Sequence, residues 1–119
     1  MQQIKKFISM TFSDFWFNIK MKYQKLTRGY SDIEIWNLDI TTAEWIIPRL
    51  KYLKEHTCGY PPDLETFEEW QEILQKMIDA FELYTCEFET FDEAQVKTEN
   101  EIIEEGIQLF GKYFRALWW

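Results

Sequence analysis

Apolar residues in the third quarter of the chain recur at the spacing of a helix face. Trp70, Ile73, Leu74, Met77, Ile78 and Phe81 stand at i, i+3, i+4, i+7, i+8 and i+11, and Thr66 with Glu69 forms the capping pair that opens such a helix. The pattern predicts an amphipathic helix from about Phe67 to Tyr84, with Glu68, Glu72, Lys76, Asp79 and Glu82 on a solvated face. A second helix closes the chain, with Ile102, Ile103, Gly106, Phe110, Tyr113, Phe114 and Leu117 on one side and Thr98 with Glu101 as its cap. Gly106 among the apolar positions points to close approach of another backbone, since glycine costs a helix about 1 kcal/mol relative to alanine. The acidic stretch between these helices, from Thr85 to Asn100, reads either as a loop or as an N-terminal extension of the last helix.

Upstream, Asp39 or the Thr41 and Glu44 pair caps a helix that runs to about His56. Pro48 lies too deep in it for the first turn, so a kink near Ala43 to Ile47 is expected. Gly59, Pro61 and Pro62 then end the helix and turn the chain. Near the start, Ser13 and Asp14 are expected to cap a helix through Phe15, Trp16, Ile19, Met21, Tyr23 and Leu26, ended by Gly29. Residues 4–12 read as a helical turn or as extended chain.

Only 4 Gly and 3 Pro in 119 residues leave too few reversals for a sandwich or barrel, whereas 46% hydrophobic residues supply a core. The expected fold is all-α, a compact bundle of about four helices forming one domain over residues 1–119, with one helix kinked at the proline. Net charge is −8, unevenly spread. Residues 1–60 hold nine Lys/Arg against six Asp/Glu and residues 61–119 four against fifteen, which gives +3 and −11. No dense basic stripe suits phosphate, so duplex nucleic acid is not an expected partner. Cys58 and Cys86 fit neither a zinc nor a redox spacing and read as free thiols in a reducing cytosol. No apolar run reaches the roughly 18 residues of a membrane span, and the start lacks a signal cleavage site. A cytoplasmic protein with no membrane partner is expected.

The chemically richest stretch is Arg28 to Asp39, RGYSDIEIWNLD. Asp32, Glu34 and Asp39 lack the ladder of an EF-hand loop, and no metal or cofactor is expected. The structural reading has Ser31/Asp32 and Asp39 capping successive helices while Arg28 pairs with a carboxylate in a semi-buried site. His56 reads as a solvated cation at a helix end. There is no nucleophile motif, phosphate-cradling loop or HExxH. The chain is therefore not expected to be an enzyme.

That stretch, with Ile47-Pro48-Arg49-Leu50, Gly59-Tyr60-Pro61, Glu69 to Leu74, Met77 to Glu82 and Glu105 to Phe114, resembles a family of small uncharacterised proteins of tailed bacteriophages. The resemblance covers about residues 20–119. It implies a phage origin, the cytoplasm of an infected bacterium and an accessory, non-virion role. Two binding readings follow. In the first, the acidic half, through Glu68, Glu72 and Glu104, occupies the basic surface of a host protein, such as one serving anti-phage defence, with Trp118 and Trp119 as apolar anchor. In the second, Arg28, Tyr30, Asp32, Trp36, Asp39, Arg49 and Tyr60, with His56 nearby, hold a nucleotide-like anion, guanidinium on phosphate and ring on base.

Overall fold

Gly29 has φ of +88°, a conformation that glycine alone adopts without strain, and its N–H closes on the Lys25 carbonyl at 3.0 Å. That residue ends α1 (Phe12–Arg28), as the sequence predicts. The structure, a computed structural model, describes residues 12–86 and 92–118. Among them are five helices, a short 3-10 turn and no strand, 81% helix in all, which is the all-α class expected. The chain divides into two compact units between Leu38 and Asp39.

The first unit contains α1 and the short α2 (Asp32–Trp36). Since α1 already includes Phe12, Ser13 and Asp14 lie in its first turn and do not precede it. Asp14 there meets the positive end of the helix dipole without being its cap. Residues 4–11 lie outside the described residues.

The second unit is built from α3 (Leu38–His56), α4 (Phe67–Thr85), α5 (Glu93–Lys112) and the 3-10 turn Phe114–Ala116. α4 opens as predicted, with Thr66 Oγ1 accepting the Glu69 N–H at 3.2 Å. The Glu69 carboxylate, however, accepts the N–H of Glu65 at 3.3 Å and not that of Thr66. Its apolar face buries Trp70, Leu74, Met77, Ile78, Ala80 and Phe81. α5 starts earlier than its expected cap: Asp92 accepts the Ala94 N–H at 3.1 Å, and Thr98 sits inside the helix, donating to the Ala94 carbonyl at 3.0 Å. The strong helix formers of the acidic stretch extend the helix back to the first side chain that can cap it. Phe88 and Phe91 fall outside the described residues.

α4 and α5 run antiparallel, with Trp70 against Tyr113 at 5.5 Å between rings and Lys76 bonded to Glu105 at 3.0 Å. They approach tightly at Gly106, where a Cβ would stand 2.1 Å from that of Ala80. α3 lies antiparallel to α4 through Gln71 to the Lys54 carbonyl (3.0 Å), Lys54 to Gln75 (2.8 Å) and a hydrogen bond from Tyr84 to Asp39. It contributes Ala43 and Leu50 to the core and continues through Pro48. Asp39 and Thr41 both lie within it, so neither is its N-cap.

Candidate functional site

In the first unit the short α2 folds back on α1 through polar side chains. Gln24 bonds Asp32 twice, its amide donating to Oδ2 at 2.8 Å and its oxygen accepting the backbone N–H at 2.9 Å. Arg28 divides its guanidinium, giving Nε to the Tyr30 carbonyl at 2.9 Å and Nη2 to Asp32 Oδ1 at 2.5 Å, and lies 4.5 Å over the Tyr30 ring. Glu34 accepts the Ser31 N–H at 2.6 Å and Lys25 at 3.1 Å. These bonds favour the ionised acids. Gln24 first and then Arg28 hold the Asp32 carboxyl below its ordinary range, and the Ser31 N–H first and then Lys25 do so for Glu34.

The Arg28 to Asp32 pair is the carboxylate contact expected of this segment, but its setting differs. Its side chains are 40% and 57% exposed, so the semi-buried charge foreseen from the sequence is instead a solvated, weakly stabilising pair. Trp36, at the end of α2, is 89% exposed.

The other expected ligand residues lie in the second unit and divide among three places. Asp39 accepts the Tyr84 hydroxyl, which lowers the Asp39 pKa and raises that of Tyr84. Arg49 turns back along α3 to the Trp45 carbonyl at 2.7 Å with its guanidinium 4.0 Å over the Trp45 ring. The two line a cavity of about 620 Å³ with Tyr52, Leu117 and Trp118. Tyr60 lines another of about 420 Å³ with Asp63, Tyr113 and Arg115. In it Tyr113 donates to Asp63 at 2.9 Å, and burial, followed by Asp63, pushes the Tyr113 hydroxyl up. His56 is exposed at the end of α3, stacked on Tyr52 at 3.9 Å.

Glu68 and Glu72 on α4 and Glu104 on α5 are all exposed, and Trp118 is 74% exposed where the two cavities meet. Trp119 lies outside the described residues. Sequence reasoning missed Trp45, Tyr52, Asp63 and Tyr113 as cavity walls. The four-residue spacing of Trp45 and Arg49 was a usable signal for one cavity. Asp63 and Tyr113 are joined only by the tertiary fold. Among the described residues no three His, Cys, Asp or Glu side chains gather as a metal would require, and no helix is long and apolar enough to cross a membrane. Cys58 and Cys86 are free and exposed. The chain matches no protein family, no curated protein and no solved structure.

Proposed function

We propose that this chain is a phage-encoded accessory protein that binds and inhibits a basic host protein, such as one serving anti-phage defence, in the cytoplasm of the infected cell. It acts by binding and not by turnover. The observation that carries this reading is where the charge lies: residues 39–119, one compact unit, hold seven Lys/Arg against eighteen Asp/Glu, a surplus of −11, while residues 1–38 are +3. The buried faces of α4 and α5 hold Glu68, Glu72 and Glu104 outward on a packed scaffold, so a partner meets carboxylates whose positions are already set. Exposed Trp118 supplies the apolar anchor. Long-range attraction of this kind mainly raises association rate and fades with salt over about 8 Å at physiological ionic strength.

The test is capture from infected bacterial lysate, with mass spectrometry of protein and nucleotide co-eluates, followed by titration of the captured protein. With Glu68, Glu72 and Glu104 all changed to Lys, association at low salt should fall by about tenfold or more. An unaltered rate without salt dependence overturns the acidic-surface reading. A second reading rests on Arg49 stacked over Trp45 beside the 620 Å³ cavity, an arrangement suited to sequestering a nucleotide-like anion. Nucleotide in the eluate, lost on changing Arg49 but not the three glutamates, would move the assignment there.

A further inference from the structure

The side of α1 turned away from α2 is apolar. Phe12, Phe15, Trp16, Ile19, Tyr23 and Leu26 stand at i, i+3, i+4, i+7, i+11 and i+14, which sets them in one stripe about 100° wide along the helix. They are between 41% and 87% exposed, and none of the 17 residues of α1 is buried. Gln24, Lys25 and Arg28, on the other side, are the residues bonded to Asp32 and Glu34. Among the described residues, α1 therefore meets α2 through the polar side chains of one side and leaves the apolar stripe exposed.

We infer that α1 is an interfacial helix that lies flat on an anionic lipid surface with this stripe among the acyl chains. Charge complementarity selects that occupant. α1 carries Lys20, Lys22, Lys25 and Arg28 against Asp14 alone, a net +3 in a chain of −8. Lys20 and Lys22 fall at the two borders of the stripe, where their stems follow the apolar surface and their ammonium groups reach lipid phosphates. Trp16 stands at the edge of the stripe beside Lys20 and Tyr23 nearer its middle, and such amphipathic rings favour the depth of the headgroups. A second copy of α1 would bring like charge to the same borders. The sequence expectation of no membrane partner rested on the lack of an apolar run, which a helix lying in the surface does not need. The acidic second unit is repelled by the same surface, so attachment through α1 is independent of the acidic-face proposal above.

Co-sedimentation of the full chain with vesicles of phosphatidylglycerol and phosphatidylethanolamine, compared with phosphatidylcholine alone, tests this. Binding to the anionic vesicles should exceed binding to the neutral ones by at least about tenfold and fall with salt. Phe15→Ser with Trp16→Ser should abolish it. Lys20→Glu with Lys22→Glu should remove the preference for anionic lipid, and the Glu68, Glu72 and Glu104 to Lys variant should bind no less than the wild type. Quenching of tryptophan fluorescence by brominated acyl chains should drop in Trp16→Phe while sedimentation persists, a readout that misfolding would not mimic. Absence of sedimentation with the anionic vesicles overturns the inference, as does binding that survives Phe15→Ser with Trp16→Ser. A dimer in light scattering that this double variant dissolves, without lipid binding, would give the stripe to a second copy instead.

Discussion

α1 and α4 are helices of similar length with well-separated apolar and polar faces, yet α4 buries six residues and α1 buries none. Trp70 is 2% exposed and Trp16 55%. The difference lies in what faces each stripe. α4 meets Ala43 and Leu50 of α3 on one flank and α5 at Gly106 on the other, so its stripe is enclosed by apolar partners within one unit. α1 is followed by a five-residue helix whose Asp32 and Glu34 bond its polar side. Amphipathic spacing thus states which face is apolar and leaves open what covers it.

The largest effect should separate the two tryptophans. Trp70→Ala removes a buried ring packed against Tyr113 and should cost about 3–5 kcal/mol, enough to lower the melting temperature of a domain this size by more than about 12 °C. Trp16→Ala should move melting by less than about 0.5 kcal/mol, as exposed substitutions do. Thermal unfolding followed by far-ultraviolet circular dichroism measures both. Comparable losses would mean that the stripe of α1 is part of a core.

The second unit was legible because its information is local. Periodicity placed α4 to within one residue of its end, and the apolar position of Gly106 marked the close approach to Ala80. What the sequence did not carry was pairing at a distance: Asp63 with Tyr113 and Asp39 with Tyr84 join residues 50 and 45 apart. The cap of α5 was misplaced because a Thr and Glu three apart occur within helices as well as at their starts, and only the backbone distinguishes the two settings. The Arg28 contact was foreseen but its burial was not, since exposure depends on which elements close over a site.

Two glycines of α5 sharpen the account of the covered stripe. At Gly106 a Cβ would stand 2.8 Å from the Lys76 carbonyl oxygen as well as against Ala80, so Gly106→Ala must push the helices apart. The expected loss, about 1–3 kcal/mol, outweighs the roughly 1 kcal/mol that alanine adds to helix propensity. At Gly111 a Cβ would meet nothing within 4 Å, and Gly111→Ala should be neutral or stabilising by up to about 1 kcal/mol. Calorimetric melting of the two variants should shift in opposite directions. If Gly106→Ala melted at or above the wild type, the tight α4 to α5 contact would not be what encloses the stripe of Trp70.

The smallest effect falls on the first unit and concerns the bonds that hold α2 to α1. Asp32 and Glu34 have pKa values below their ordinary 3.8 and 4.5, so the folded state binds fewer protons than the unfolded chain. Their stabilisation is fully present above about pH 4.5 and is lost as pH falls through the lowered values. Amide protection around Gln24 to Trp36 should fade over that acid range while the buried face of α4 stays protected. Within the network the Gln24 hydrogen bond is the largest single influence on Asp32, and Arg28 acts on it through both its hydrogen bond and its charge. Gln24→Ala and Arg28→Ala should therefore each raise the Asp32 carboxyl titration, followed by carbon-13 resonance, and neither should shift global melting appreciably because both bonds are exposed. No rise on losing either side chain would mean that these bonds do not hold α2 to α1.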